Sequence, residues 1–185
     1  MIGSILLTHG AGSDRDSPLL LFLDGAFSEA GLKVLRYNLP YRQSRPTGPP
    51  VRCGAELDRL GIAEAVHSLR MQMSGPVFLG GHSYGGRQSS LLAAEQSALV
   101  DGLLLLSYPL HPPRKPEDLR TAHFPKLRTP SLFVHGTRDP FGSIAEMETA
   151  LRLIPAVHRL VSMEGAGHEL KAVTGIVAAF LEFFA

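Results

Sequence analysis

Four short segments of this chain carry residue types that together could run acyl transfer: His9-Gly10-Ala11-Gly12, Gly81-His82-Ser83-Tyr84-Gly85, Gly136-Thr137-Arg138-Asp139 and Glu164-Gly165-Ala166-Gly167-His168. A serine hydroxyl is a poor nucleophile near neutral pH. It needs an imidazole to take its proton, and the imidazole needs a carboxylate to fix its tautomer and stabilise its cation. Ser83, His168 and Asp139 supply those three groups. Acyl transfer also puts negative charge on a carbonyl oxygen, which preorganised donors must meet. The backbone N–H groups of Tyr84, which follows the serine, and Ala11, which follows the His-Gly pair of the first segment, are the candidates for that oxyanion hole.

The Gly-x-Ser-x-Gly pattern arises by chance in roughly one chain in six of this composition, so the elements around it must decide. Apolar runs at Ser4–Thr8, Lys33–Asn38, Val77–Gly80, Gly102–Ser107, Ser131–His135 and Val157–Ser162 predict strands. Between them lie helical patterns. Ala55–Met73 carries Leu57, Leu60, Val66, Leu69 and Met73 on one side, and Glu169–Phe184 carries Leu170, Val173, Val177, Phe180, Leu181 and Phe184 at helical spacing. Ser17-Pro18 reads as a helix start, as does the capping box from Ser143 to Glu146. Strands that alternate with helices and are apolar nearly throughout imply α/β architecture. The expectation is one domain over residues 1–185, a six-stranded, mostly parallel sheet with helices on both faces. Ligands sit at the carboxyl ends of the strands in such sheets, and each of the four segments follows a predicted strand. Ser, Asp and His also occur in the chain order of one known hydrolase arrangement, in which the serine sits on a strained strand-to-helix elbow. The glycines fit this: Gly81 and Gly85 keep side chains out of the sharp turn, and Gly86 lets the helix lie close to the sheet.

Asp101 precedes its strand and falls at the opposite rim, whereas Glu164 is a credible substitute for Asp139. His9 and His82 read as loop-holding residues. His111 and the arginines Arg42 and Arg114 are left open as substrate contacts. Cys53 has no base placed beside it and reads as an inert thiol. A phosphate loop would want Gly-Lys-Ser/Thr where this chain has Gly86-Arg87-Gln88, and the first glycine loop lacks the third glycine of a dinucleotide fingerprint. The eight histidines show no metal-ligand spacing. No cofactor and no metal are therefore expected.

At 185 residues the chain should bury roughly 70% of its unfolded surface without staples. The single cysteine permits no internal disulfide and the N-terminus reads as a first strand instead of a signal peptide, so a cytoplasmic location is expected. A formal net charge of +1 gives no global bias toward nucleic acid. No apolar segment reaches the ~20 residues that span a bilayer, so membrane insertion is not expected. The expected partner is a small-molecule ester; protein partners are left open.

With these residues placed, the chain resembles the α/β-hydrolase superfamily over essentially its whole length. THGAGSDRDSP, GGHSYGGR, SYPLHPP and VHGTRDPFG resemble the small hydrolase-like family that includes the testis-expressed hydrolase-like proteins and the hydrolase-like domain of a regulatory subunit of the NSL complex, with dienelactone-hydrolase-like neighbours. The resemblance implies Ser83, Asp139 and His168 as the triad of a minimal α/β-hydrolase fold. Relative to larger members, the chain starts directly at the strand bearing His9-Gly10 and leaves only a short span between Ser107 and Ser131. No lid domain fits there, which favours an open cleft and a small or exposed ester, possibly a thioester. The alternative is a catalytically silent binding or scaffolding module on the same fold.

Overall fold

A computed structural model describes residues 3–51, 53–171 and 175–185. Six strands, β1 (Gly3–Thr8), β2 (Leu32–Tyr37), β3 (Val77–His82), β4 (Gly102–Leu106), β5 (Ser131–Gly136) and β6 (His158–Met163), form one sheet in the order β2-β1-β3-β4-β5-β6. Every neighbouring pair is parallel. The expected sheet is thus present, wholly parallel instead of mostly so. The helices are α1 (Pro18–Glu29), α2 (Pro40–Ser44), α3 (Ala55–Gln72), α4 (Tyr84–Glu95), α5 (Ile144–Leu151) and α6 (Ile176–Phe183).

Alternation along the central strands assigns the two faces. Leu6, Leu79, Leu103, Leu105 and Phe133 pack with Ile62, Val66 and Leu69 of α3, Leu92 of α4 and Met147 of α5. Ile5, Leu7, Phe78, Leu104 and Val134 point the other way, onto Leu20, Leu23 and Phe27 of α1 and Ile176 and Phe180 of α6. Both faces of the inner strands are buried, so these strands are apolar at nearly every position. Between β4 and β5 the chain forms no larger element than a single 3-10 turn at Phe124–Lys126, which leaves no lid domain over the strand ends.

Two expected helices are corrected, one in its buried face and one in its start. In α3, Leu57 and Leu60 are 62% and 52% exposed, and the helix turns inward instead through Asp58, Gly61, Ile62, Ala63, Val66 and Leu69. A buried carboxylate decides this rotation. Asp58 accepts the Tyr41 N–H at 3.0 Å and the Tyr84 hydroxyl at 2.7 Å, bonds that a simple apolar stripe does not anticipate. The last helix begins at Ile176 and not at Glu169: Leu170 has φ 45° and Gly175 φ 95°, both left-handed and incompatible with continuous helix. Val173, expected on that helix, lies outside the described residues. The helix starts fare better. Pro18 occupies the first turn of α1, and Ser143 and Glu146 form a reciprocal capping box on α5.

The strand order reverses direction between β1, whose chain proceeds outward to β2, and β3, from which it proceeds the other way. The carboxyl ends of β1 and β3 therefore flank the crevice where such sheets bind ligands. The first glycine loop leaves β1 there, and Ser83 leaves β3.

Candidate active site

Ser83 joins β3 directly to α4 with φ 50° and ψ −113°. This is a sparsely populated region for a residue with a Cβ, and holding it there costs about 1–3 kcal/mol. Surrounding bonds fix the turn: the Ser83 N–H donates to the Leu106 carbonyl at 2.8 Å, and its own carbonyl accepts the Arg87 N–H at 2.9 Å. The space is as tight as the glycine pattern implies. A Cβ on Gly81 would strike the Gly86 backbone nitrogen and come within 2.5 Å of Thr8 Oγ1; one on Gly85 would come within 2.6 Å of the His9 carbonyl oxygen. Sheet, elbow and first loop thus meet backbone to backbone, and the hydroxyl is thrust clear of them.

Ser83 Oγ lies 2.8 Å from His168 Nε2, and His168 Nδ1 lies 2.8 Å from Asp139 Oδ2. His168 reaches the serine from the loop after β6, and Asp139 from the turn after β5. The Asp139 side chain is fully buried and its other oxygen accepts the Phe141 N–H at 2.9 Å. Burial alone would raise the Asp139 pKa, but the hydrogen bond and charge of His168 and the Phe141 N–H outweigh it, and the carboxyl sits below its usual range. An ionised carboxylate only accepts, so the His168 proton belongs on Nδ1 and Nε2 is left bare toward the serine. That is the tautomer a base requires. Ser83 is half-buried.

Several contributors were not read from the sequence. The Phe141 ring lies against His168 with centroids 4.2 Å apart. His135, fully buried behind Asp139 at 3.7 Å from Oδ2, donates from Nε2 to the Gly142 carbonyl at 2.8 Å. Burial lowers its pKa and keeps it neutral. His82 Nε2 donates to the His168 carbonyl at 2.8 Å, and His9 accepts the Leu39 N–H at 3.1 Å while Nδ1 donates to the Gly10 carbonyl, so both hold loops. Glu164 sits in the next loop, exposed, 3.5 Å from Thr137 Oγ1, and Asp101 pairs with Arg70 at the opposite rim. Neither carboxylate takes part in the relay.

The first loop packs against the elbow: a Cβ on Gly10 would lie 3.6 Å from Ser83 Cβ. Among the described residues, the N–H groups of Ala11 and Tyr84 have no acceptor, whereas the adjacent Gly85 N–H is taken by His9 and the Ser13 N–H by Gly10. A clamp holds this loop. The Tyr41 hydroxyl is shared between the Gly10 and Ala11 carbonyls at 3.1 and 2.9 Å. Arg42, 5% exposed, donates to the carbonyls of Ser13 (2.7 Å), Ala11 (3.3 Å), Arg45 (3.1 Å) and Gly48 (3.0 Å). Asp58 ties the clamp to the elbow by bonding both Tyr41 and Tyr84. Burial pushes the Tyr41 pKa up to about 12 and raises that of Tyr84, so both phenols remain donors at neutral pH. Arg42 is therefore committed to backbone and not to substrate. His111 is buried and bonds the Pro112 carbonyl, Arg114 is exposed at φ 64°, and Cys53 is an exposed free thiol. Replacing Arg42 by alanine is expected to lower kcat roughly 10²-fold with KM little changed, because the loop shifts while the relay stays intact. Arg42→Lys should not rescue it, since a point charge cannot serve four carbonyls. Steady-state kinetics on both variants checks this.

Four neutral imidazoles make the fold acid-sensitive. Burial lowers the pKa of His9, His82 and His135, and that of His123 to about 4, with Arg87 adding to the last. Unfolded, each binds a proton near pH 6.5. Between the folded and unfolded values the unfolded state holds more protons, so stability rises with pH there. Their contribution is complete above about pH 6.5 and is lost as pH falls through the folded values. The Tm should drop between pH 7.5 and pH 5, with a shallower slope in His123→Gln; a flat Tm over that range would contradict this.

A cavity of about 390 Å³ is lined by the Glu164–Lys171 segment that carries His168. A second, of about 460 Å³, is lined by Ser13, Leu19, Phe22, His82, Glu169 and Lys171, next in sequence to Ser83 and His168 but including neither. Among the described residues no group of three or more His, Cys, Asp or Glu side chains is arranged to hold a metal ion, and no helix is long and apolar enough to cross a membrane.

The rat protein named "Putative protein-lysine deacylase ABHD14B" is 28% identical over 166 residues, 89% of this chain and 74% of its own, and its human counterpart is 25% identical over the same span. Among solved structures, a dienelactone hydrolase from Anabaena variabilis superposes with TM-score 0.75 and 24% identity, covering 97% of this chain and 82% of that one. Est1E from Butyrivibrio proteoclasticus, solved with ferulic acid, gives 0.81 and 16%, covering 97% and 88%. The alpha/beta hydrolase domain family matches residues 2–175, nearly the whole chain, and the protein therefore belongs to the alpha/beta hydrolases.

Proposed function

We propose that the protein is a serine hydrolase that cleaves a carboxylic ester through an acyl-Ser83 intermediate. The observation that carries this reading is the unbroken Ser83–His168–Asp139 hydrogen-bond relay, built on an elbow that holds Ser83 at φ 50°. His168 Nε2 takes the Ser83 proton as Oγ attacks the ester carbonyl. The oxyanion is met by the Tyr84 and Ala11 N–H groups, each such donor contributing about 2.7–4 kcal/mol to barrier lowering. His168 then returns the proton to the departing alcohol, and a water activated by the same imidazole releases the acid. Asp139 stays ionised throughout and stabilises the imidazolium.

The absence of a lid and the 460 Å³ cavity beside His82, walled by Leu19 and Phe22, suit a small or exposed acyl group. Within the family we place the chain near the small testis-expressed and NSL-subunit hydrolase-like proteins, on its shared motifs, and we place it in the cytoplasm on its single unpaired cysteine. The lysine-deacylase name borne by its relatives favours one second reading, cleavage of an acyl-lysine amide by the same relay. A silent scaffolding module is the weaker alternative, because it gives no reason to keep a strained serine bonded to a base. Turnover of p-nitrophenyl esters of increasing chain length, alongside acetyl-lysine and longer acyl-lysine peptides, separates these readings. We expect ester turnover greatest for short acyl chains; preference for the peptides would establish the deacylase, and silence on the whole panel would favour the scaffold.

A further inference from the structure

A cluster of cations that the relay does not use lies one turn along α4. Arg87 of α4 and Arg120 and Lys126 of the segment between β4 and β5 line one groove, a cavity of about 350 Å³ whose walls include Leu91, Leu119 and His123. Among the described residues none of these three cations is in an ion pair. Glu95 also lines the groove, but it pairs with Arg59 at 3.4 Å. Asp118 acts on Arg120 only at longer range.

The donors are poorly served by the protein. The buried Nε–H of Arg87 has no acceptor among the described residues. Among the described residues Arg120 makes a single side-chain bond, from Nη1 to the Pro109 carbonyl at 3.2 Å. His123 is occupied by Ser90, 2.8 Å from its Nε2, and burial together with the Arg87 charge holds it neutral, so it offers the cations no compensation. Burial and the Arg87 charge likewise disfavour the charged form of Arg120. Two guanidinium groups that line one groove and repel each other, one of them with a buried N–H that no acceptor meets, are what a bound oxyanion would satisfy. It would accept charge-assisted bonds from both forks and cancel their repulsion.

We infer that this groove binds an oxyanion group, the phosphate or carboxylate of a ligand, held by Arg87 and Arg120 with Lys126 at the mouth. The site is separate from the acyl-serine reading, and its test uses no activity readout. Inorganic phosphate and succinate are titrated separately into the native protein at low ionic strength. Heat is followed by calorimetry, and the side-chain Nε–H resonance of Arg87 by NMR. We expect saturable one-to-one binding with movement of that resonance, weakened about tenfold or more in Arg87→Gln/Arg120→Gln. Phosphate binding alone assigns a phosphate monoester, and succinate binding a carboxylate. Should the double variant fail to fold, the exposed Lys126→Gln, expected to weaken binding more modestly, serves in its place. Absence of saturable binding by either anion, or binding undiminished in a folded variant, would overturn the site.

Discussion

Ser83→Ala is expected to lower turnover ~10⁶-fold while leaving the fold intact. The size of the effect follows from how the relay is built. In the proposed mechanism Asp139 and His168 prepare a base whose only bonded partner on the reacting side, among the described residues, is Ser83 Oγ, and without that atom the base has no nucleophile to activate. Residual turnover should reflect the oxyanion donors and binding alone. The same position predicts a second, opposite change. Because Ser83 sits at φ 50° and ψ −113°, Ser83→Gly removes a Cβ from a backbone that disfavours it. Recovering about 1 kcal/mol of strain should raise Tm by roughly 2–4 °C for a domain of this size. Inactivity joined to greater stability is the pattern of a residue kept for chemistry. A Ser83→Ala protein with unchanged esterase turnover would remove the serine from the mechanism.

Asp139→Asn should cost ~10⁴-fold, nearly all of it in kcat. The substitution is close to isosteric in a fully buried position, so packing is preserved. What changes is hydrogen-bond polarity. An amide nitrogen facing His168 Nδ1 forces the proton onto Nε2, and the imidazole then donates to Ser83 when it should accept. The Phe141 N–H can still be met by the amide oxygen, which keeps the turn after β5 in place. Substrate binding should therefore be nearly unchanged. A small kcat effect would mean that Glu164 or another acid orients the imidazole.

The strands were the most legible part of the chain, and for a physical reason. The inner strands β1, β3, β4 and β5 are buried on both faces, so their residues cannot alternate with polar ones and each reads as an apolar run, while the partly buried edge strands β2 and β6 keep shorter apolar cores. The positions of Ser83, Asp139 and His168 were legible for a related reason: each lies just past such a run, and parallel topology collects those ends at one rim. The misreadings share a different cause. Leu57 and Leu60 belong to the apolar residues of α3 but face solvent, because Asp58 must turn inward to meet Tyr41 and Tyr84. A buried carboxylate whose partners lie 17 and 26 residues away leaves no periodic signal. The five-residue α2 is too short to show a period, and with it the clamp of Tyr41 and Arg42 on the first loop went unread. His135 and Phe141 support Asp139 and His168 through contacts that only the folded turn creates. The side chains proposed to do chemistry are thus marked by type and strand order, while those that position them are set by tertiary contacts.

The central claim is that Ser83 is an activated nucleophile. Its most direct measurement is the site of covalent capture: native protein is treated with a fluorophosphonate, digested, and the modified residue located by tandem mass spectrometry, with His168→Ala as the control. One adduct per chain is expected, on Ser83, with strongly slowed labelling when the imidazole is removed. An unmodified Ser83 in folded protein, or labelling as fast without His168 as with it, would contradict the account.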